Sequence, residues 1–406
     1  MILLKIAWRN LWRNPLRSGI VILAMVFGIV VMIFVSGFYT GLMGSYVKNS
    51  IKKQYGHIQI HHPAFREYLE TKNEIKTLEK AKKTLDEANL PYAPRTIAMG
   101  LASVAGKNQA IKIIGVDTAF EKNISSPQDY LIEGKYLSGT KRNPVYISSS
   151  LANKLGLKLR KKIKLSYADE TGTNISIAGK ITGIYDMKNK LADLNSIYVN
   201  QSDLNKNLIN KNYCNEIIVR IPDIDYSSNE IDLITQDIQS SLPALEVASW
   251  KEVAPELNAL VGQVKTNQIV VRTIILIALV FGILNTLLMS VLERKYEIGM
   301  MLAIGLNKAK TMLLIIIESL CLSAVAGPLG IILSNLMIMY FAQNGLDLSV
   351  ISKSLETWGI DPIIIMKVNP QTYWAIFILI TLTNIGAAIY PAIKAMRLRP
   401  AEAIRK

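Results

Sequence analysis

Four long apolar stretches and one much longer polar region limit what this chain can fold into. The apolar stretches cover residues 18–40, 269–292, 311–341 and 371–393, and the polar region covers residues 41–268. Each apolar stretch has about 20 residues or more, enough to cross about 30 Å of hydrocarbon as a helix. The sequence therefore predicts four transmembrane helices, with a water-soluble domain between the first and the second.

Basic residues beside the apolar stretches predict the topology. Outside the large domain they concentrate in residues 1–17, 293–310 and 394–406, and short segments rich in Lys and Arg remain in the cytoplasm. We expect both termini and the loop 293–310 to be cytoplasmic, and the large domain and the loop 342–370 to be periplasmic. The net charge of +15 is then a feature of topology, and nucleic acid is not an expected partner.

The N-terminal segment, residues 1–17, predicts a short helix at the membrane surface. Apolar Leu3, Ile6 and Trp8 interleave with Lys5 and Arg9, a pattern typical of a helix that directs its cations towards anionic lipid. The apolar run that follows exceeds the usual length of a signal peptide and no A-x-A site follows it. We therefore expect an uncleaved anchor.

Helical patterns at both ends of the large domain predict a stalk. Met43, Val47 and Ile51 continue the first span, and a stripe with helical spacing runs from Leu257 to Val271 after Pro255. Ordinary linkers are the alternative. Beyond the stalk, the periodicity predicts an α/β domain with a second subdomain inserted at about residues 117–213. The predicted strands are 56–61, 109–116, 174–185 and 216–221, and the predicted helices are 73–88 and 229–242.

Motifs for catalysis or nucleotide binding are absent from the sequence. Nothing matches G-x-S-x-G, H-E-x-x-H or G-x-x-x-x-G-K-[ST], so we expect no enzyme and no cofactor in this chain. His57, His61 and His62 fall at one strand end and could hold a metal, but a polar cluster is the favoured interpretation, and we predict no metal site. Cys214 and Cys321 lie in different regions, which excludes a disulfide framework.

The loop between the second and third spans carries the most informative motif. It reads ERKYEIGMMLAIG from Glu293 to Gly305, which predicts a short helix at the membrane surface. Ile298, Met301 and Leu302 would form an apolar face able to dock in a groove of a cytoplasmic partner; a plain connector is the alternative. The predicted coupling residues are Glu293, Arg294, Glu297, Ile298, Gly299, Met301, Ala303 and Gly305.

Polar and small residues inside the spans are further candidates. Asn285 and Glu318 are expected to make interhelical hydrogen bonds, either static ones or ones that change between states, because an unpaired carboxylate in a bilayer is costly. Gly327-Pro328-Leu329-Gly330 predicts a break in the third span, as a hinge or as a point of close packing.

Three segments resemble the signatures of the MacB/FtsX superfamily of ABC permeases. The loop is similar to E-R-x-x-E-I-G-x-x-x-A-x-G, residues 7–18 (AWRNLWRNPLRS) resemble R-N-L-x-R-N-x-x-R-[ST], and residues 390–405 resemble Y-P-A-x-x-A followed by R-P-x-E-A-[IL]-R. The length and the segment GHIQIH at residues 56–61 resemble the LolC/LolE-type lipoprotein-releasing permeases. The loop is closer to MacB, and Arg160-Lys161 stands where many relatives have Gly-Asp.

The resemblance implies mechanotransmission. A dimer of a separate cytoplasmic ATPase, which binds ATP and Mg²⁺, would move the loop 293–310 as a coupling helix, and stalks would relay the movement to the periplasmic domains. Implied partners are a second permease subunit, identical or not, the lipid bilayer and a periplasmic carrier or adaptor. Three functions are open: lipoprotein release, MacB-like efflux of amphiphilic drugs or peptides, and FtsX-like regulation of a cell-wall hydrolase, against which the size of the large domain argues.

Overall fold

A computed structural model describes residues 2–137, 143–189, 193–208, 210, 212–304 and 307–397. Within these residues the chain divides into two compact units. The membrane unit comprises the residues up to Leu42, Gly262–Leu346 and the residues from Ile364 onward. The α/β domain comprises Met43–Val261 together with Asp347–Ile363.

Long apolar helices dominate the membrane unit. In the described part of the chain, four helices have the length and composition to cross a membrane; they are α2 (Pro15–Ser50), α10 (Pro255–Glu293), α12 (Lys308–Asn344) and α14 (Pro370–Met396). Two shorter helices accompany them, α1 (Ile2–Arg13) and α11 (Lys295–Ala303). The four predicted spans lie inside the four long helices, and Pro255 is the first residue of α10, as predicted.

Buried aliphatic side chains hold the long helices of the membrane unit together. Ile29 of α2, Ala326 of α12 and Ile380 of α14 are within one cluster and are 1% exposed or less. The predicted break in the third span is wrong, because α12 continues through Pro328. The neighbouring glycines instead allow close packing: a Cβ on Gly330 would lie 2.8 Å from the side chain of Ile29.

Short helices and one sheet form the α/β domain. The helices are α3 (Phe65–Tyr68), α4 (Leu78–Glu87), α5 (Thr118–Glu121), α6 (Ser149–Leu155), α7 (Gln201–Asn205), α8 (Glu230–Ser241), α9 (Trp250–Val253) and α13 (Ser352–Thr357). The strands are β1 (Ile58–His61), β2 (Tyr92–Val104), β3 (Lys107–Val116), β4 (Leu131–Gly134), β5 (Pro144–Ser148), β6 (Lys162–Ala168), β7 (Asn174–Tyr185), β8 (Ser196–Asn200), β9 (Glu216–Val219) and β10 (Glu246–Ser249).

The sheet of the α/β domain is continuous. Among the described residues it has ten strands in the order β10-β1-β9-β2-β3-β8-β5-β7-β4, with β6 paired to β2 and β7. Strands β3 and β8, and likewise β5 and β7, are parallel. Strand β6 alternates buried and more exposed residues, as expected for a strand with one covered face, whereas β1 is buried throughout because β9 and β10 flank it.

Two hydrophobic clusters lie along this sheet. One contains residues from the beginning and the end of the domain's sequence, such as Val47, Ile58 and Trp250. The other contains residues from the middle of that sequence, such as Ile113, Leu165 and Val199. Two very short strands, β11 (Leu346–Asp347) and β12 (Ile363–Ile364), pair with each other. A π-helix at Ile51–Tyr55 follows α2 directly.

Candidate coupling site

Helix α11 lies between the long helices α10 and α12, where the sequence predicts the coupling helix. The turn at Arg294 separates it from α10, and Asn307 begins the next helix by accepting a hydrogen bond from the Ala309 amide at 3.1 Å. Such N-capping satisfies an amide that has no partner within the helix. The turn at Arg294 and the separate start of α12 make α11 a short segment distinct from the long helices on either side.

The inner face of α11 packs against its own chain. Ile298 is 5% exposed and belongs to a cluster with Val291, Ile315 and Ala392, against which Met301 and Leu302 also pack. The apolar face predicted for docking is therefore turned inward, which corrects that prediction. Gly299 is buried on the same side. The physical reason is that α10, α12 and α14 all supply apolar surface next to this short helix.

The opposite face of α11 carries an exposed apolar stripe. Tyr296, Met300 and Ile304 recur every fourth residue and are 54%, 42% and 82% exposed. Residues at this spacing lie on one face of a helix. Ala303 is also exposed, and Gly305 lies outside the described residues. The stripe went unnoticed in the sequence because its members are interleaved with the equally apolar residues that face inward.

Arg294 connects the start of α11 to the third long helix. Its guanidinium donates to both carboxylate oxygens of Glu318, at 2.9 and 3.2 Å, and to Glu297 at 3.3 Å. The side chains of Arg294 and Glu318 are 14% and 16% exposed. Glu318 thus has the interhelical hydrogen bond expected of it, and its partner is the arginine of the coupling motif. Both bonds to Glu318 come from Nη1 of Arg294, and hydrogen bonds between charged groups are stronger than neutral ones.

Two further ion pairs join the start of the chain to α11 and to Glu293, the last residue of α10. Arg13 pairs with Glu297, and Arg17 at the start of α2 pairs with Glu293. Partial burial opposes ionisation of Glu297, but hydrogen bonds from Arg13 and Arg294 outweigh it and lower the pKa of this carboxyl. The expectation that the cations of the N-terminal helix face lipid is wrong for Arg13, which pairs with Glu297.

The other polar residues predicted in the spans have different environments. Asn285 is exposed on α10 and makes no hydrogen bond to any described residue. A polar contact between spans is made instead by Asn384, a fully buried residue that was not singled out. Its amide donates to the Ser319 carbonyl at 2.7 Å and to the Ser323 hydroxyl at 2.8 Å. This contact ties α14 to α12.

The three histidines form polar contacts of their own. The His57 ring accepts from the Ile221 amide at 3.0 Å, and the His62 ring accepts from the Ala64 amide at 3.2 Å. Burial, with a smaller effect from Arg220, lowers the pKa of His57 to about 4. His61 lies 3.8 Å from Glu216. Among the residues that the structure describes, no group of His, Cys, Asp and Glu could hold a metal ion.

Comparison with known families identifies the chain. Residues 18–271 match the family described as MacB-like periplasmic core domain, and residues 269–400 match FtsX-like permease C-terminal. The first match alone covers more than half of the sequence. The chain belongs to the MacB/FtsX superfamily of ABC transporter permeases. It is therefore a membrane protein with an extracellular α/β domain, and the predicted superfamily and class of fold are confirmed.

Relatives of this permease carry two kinds of name. The lipoprotein-releasing system transmembrane protein LolC of Buchnera aphidicola is 26% identical over 296 residues, which are 70% of each chain. The macrolide export ATP-binding/permease protein MacB of Chlorobium luteolum is 34% identical over 124 residues, 30% of this permease and 16% of that protein. A MacB of Shewanella is 23% identical over 235 residues, 56% of this permease and 33% of that protein. This permease thus spans a third or less of these two MacB relatives.

Solved structures resemble parts of the permease. The periplasmic region of MacB from Actinobacillus actinomycetemcomitans covers 52% of this permease and 97% of its own chain, with 13% identity and a TM-score of 0.35. The extracellular domain of the transporter YknZ from Gram-positive bacteria covers 48% and 99%, with 14% identity and a TM-score of 0.32.

Proposed function

We propose that this permease is the membrane subunit of an ABC complex that releases lipoproteins from the inner membrane, driven by a separate cytoplasmic ATPase that binds ATP and Mg²⁺. The observation that carries the proposal is the construction of α11. One face of this short helix is fixed by packing and by Arg–Glu pairs, while the other presents Tyr296, Met300 and Ile304. A helix with apolar anchors at this spacing fits a groove on a partner protein.

In this proposal both termini and α11 are cytoplasmic and the α/β domain is periplasmic. The ATPase would move α11, and with it the adjoining end of α10, towards the same helix of the second permease subunit. This movement would displace α2 through the pair Arg17–Glu293 and α12 through the pair Arg294–Glu318. Both helices would carry the displacement across the bilayer, because each is one continuous helix and α12 continues through Pro328 even though this proline has no amide to donate. The substrate would be moved by the periplasmic domains rather than through a pore in one subunit.

A second permease subunit, identical or not, is part of the proposal. In the most apolar stretch of 18 residues of α10, 17% of the stretch is buried within this chain, against 39–44% of the corresponding stretches of the other three long helices. Asn285 lies exposed on this helix, and an amide directed at lipid is costly. A partner subunit that covers α10 would remove that cost and complete a two-fold complex.

Lipoprotein release is favoured by the extent of the likeness to LolC, which covers 70% of both chains. The higher identity to the Chlorobium MacB, 34% over a shorter segment, favours export of amphiphilic compounds as the second candidate. Depletion of the permease separates the two. Lipoproteins of the outer membrane should accumulate in the inner membrane under the first proposal, whereas sensitivity to amphiphilic drugs with normal lipoprotein sorting would support the second.

Copurification tests the role of α11. Replacing Met300 with Glu should prevent the ATPase from copurifying with the permease, because the charge would have to be buried in an apolar groove. Lys295→Glu is the matched control, since Lys295 is exposed on the same helix but lies off the stripe. Equal recovery of the ATPase with wild type and Met300→Glu would refute docking through this face.

A further inference from the structure

The segment Asp347–Ile363 joins α12 to α14 in sequence, yet it belongs to the α/β domain. Its ends are held together, since the Leu348 amide donates to the Pro362 carbonyl at 2.8 Å. Helix α13 lies within it, with Leu355 9% exposed. The sequence indicated only a loop between two spans. The structure shows an ordered part of the domain, which raises the question of what holds it there.

The end of helix α2 supplies the first set of contacts. The Asn49 amide donates to the Gly359 carbonyl at 3.2 Å and to the Asp361 carboxylate at 2.9 Å. The Ser45 hydroxyl donates to the same carboxylate at 3.3 Å. Ser45 and Asn49 are four residues apart and so share one helix face. Hydrogen bonds to a charged acceptor are stronger than neutral ones, which makes Asp361 the centre of this contact.

The loop Asp186–Asn189 of the domain supplies the second set. Lys188 lies 3.8 Å from Glu356. Gly359 has a φ of +75°, and a Cβ there would lie 3.0 Å from the Asn189 side chain. A larger residue would therefore have a strained backbone conformation and would press on the Asn189 side chain. The segment Asp347–Ile363 thus contacts α2 on one side and this loop on the other.

Lys53 joins the two supporting elements to each other. It lies in the π-helix that follows α2 and is 9% exposed, and its ammonium donates to the Met187 carbonyl at 2.7 Å. Burying an ammonium is costly unless it is hydrogen-bonded, so this contact fixes the end of α2 to the loop. A π-helix interrupts regular helical geometry and is frequent at functional sites.

We propose that Ser45, Asn49 and Asp361 form a permanent clasp that holds the segment Asp347–Ile363 on the α/β domain throughout the transport cycle. The clasp gives the domain a second mechanical connection to the membrane helices, in which hydrogen bonds hold a segment whose chain continues from α12 and into α14. Helix α12 also carries Glu318, the partner of Arg294. This inference rests on the proposed function, because it makes the clasp a mechanical connection that acts in parallel with the stalk.

Disulfide trapping in the full-length permease tests the clasp itself. Ser45→Cys with Asp361→Cys should form an intramolecular disulfide rapidly in native membranes. The matched control is Lys48→Cys with Asp361→Cys, since Lys48 is exposed on the same helix and makes no hydrogen bond or ion pair with Asp361. The native cysteines, Cys214 and Cys321, are buried and contribute little background. Equal, slow cross-linking of both pairs would overturn the clasp whatever the protein transports.

Transport with the reconstituted ATPase then tests whether the clasp is permanent and mechanical. The cross-linked permease should keep at least about half of its lipoprotein release, whereas Asn49→Ala with Asp361→Ala should lower release about fivefold or more while ATP hydrolysis continues. Lys353→Ala, an exposed change in the same segment, should have no effect. Loss of release on cross-linking that a reductant reverses would overturn permanence. Absence of release by the wild type would refute the proposed function and leave the cross-linking result standing.

Discussion

Paired charges occur in both units of this permease, but they differ in how far they are removed from water. In the α/β domain, Arg95 and Glu121 are 2% and 0% exposed, and the Arg95 Nε donates to Glu121 at 3.0 Å. In the membrane unit, Arg13 and Glu297 are 52% and 34% exposed. Buried pairs cannot separate without leaving an uncompensated charge, whereas exposed pairs are exchanged for water at little cost. The first kind fixes a structure and the second permits movement.

Glu216 extends the buried network of the domain. It lies 3.7 Å from Arg95 and 3.5 Å from Lys112. Burial opposes its ionisation, but the charge of Lys112 and contacts with His61 and Arg95 outweigh it, so the pKa of Glu216 lies well below its usual range. Arg95 therefore compensates the charge of two buried carboxylates, Glu121 and Glu216. Of these charged residues, its replacement should destabilise the protein most.

The largest effect is expected from Arg95→Met. The change leaves Glu121 without its guanidinium partner in a dry site and should destabilise the domain by about 3–5 kcal/mol. Thermal unfolding of the full chain in detergent measures it. The control is Arg66→Met, because Arg66 pairs with Glu246 at 2.6 Å but is about a third exposed, and its loss should cost about 1 kcal/mol or less. Equal destabilisation by both changes would contradict the distinction between buried and exposed pairs.

Arg294→Gln should have the next largest effect, and on coupling rather than on the domain. It leaves the carboxylate of Glu318 unpaired within a span, which is costly, and should lower ATP-driven release about tenfold or more. Adding Glu318→Gln removes the unpaired charge, so the double variant should be milder than Arg294→Gln alone. If the free-energy changes of the two single variants added up to that of the double variant, Arg294 and Glu318 would not be energetically coupled.

Much of this architecture could be predicted from the sequence, because length and periodicity encode it. The strand predicted at 174–185 is β7, and the helix predicted at 229–242 differs from α8 by one residue at each end. The helix predicted at 73–88 begins only at Leu78, since the residues before it form turns whose contacts with the rest of the domain give no periodic signal. Glu318 was predicted because a carboxylate in an apolar run is conspicuous in any sequence.

Contacts between distant segments could not be predicted in the same way. Which face of α11 is buried depends on how α10, α12 and α14 surround it, and both faces are apolar in sequence. Asn384 was missed because one amide in an apolar run has no pattern, and its partners at Ser319 and Ser323 are about 60 residues away. The placement of Asp347–Ile363 on the domain depends on Asp361, an ordinary loop residue until its contact with Asn49 is seen.

Asp193 is a buried carboxyl of the α/β domain whose neighbours, unlike those of Glu216, do not outweigh the effect of burial. Asp193→Asn tests the cost of its charge. Burial, and then the charge of Asp186, raise the pKa of Asp193 to about 7, against about 4 in an unfolded chain. Ionising this buried carboxyl lowers the free energy of unfolding of the domain. The loss is small below pH 4, grows as the pH rises towards 7 and is constant above. The variant should be more stable at pH 8 by on the order of 2 kcal/mol, less than the full shift implies because backbone amides donate to the carboxylate.

Thermal unfolding of the full chain across pH 4–8 measures this effect. The gain should shrink towards pH 4, where Asp193 is protonated in the folded state and in about half of the unfolded chains. Asp203→Asn is a suitable control, because Asp203 has a cation partner in Lys206 at 2.6 Å and its removal should not give a gain that grows with pH. A constant gain for Asp193→Asn across the range would exclude titration of this carboxyl as the cause.

The smallest effect is expected at the exposed pairs of the membrane unit. Arg17→Glu places two acidic groups together where Arg17 and Glu293 now pair, and should weaken coupling by a factor of about 2–5, the equivalent of about 0.5–1 kcal/mol. Adding Glu293→Arg restores opposite charges and should restore release, and the defect of the single variant should shrink at high salt because exposed charges are screened. A reversed pair that fails to rescue would mean that the position of Arg17, not its charge, matters. In that case α2 would follow the end of α10 through packing alone. The difference between buried pairs that fix a structure and exposed pairs that permit movement would then be confined to the α/β domain.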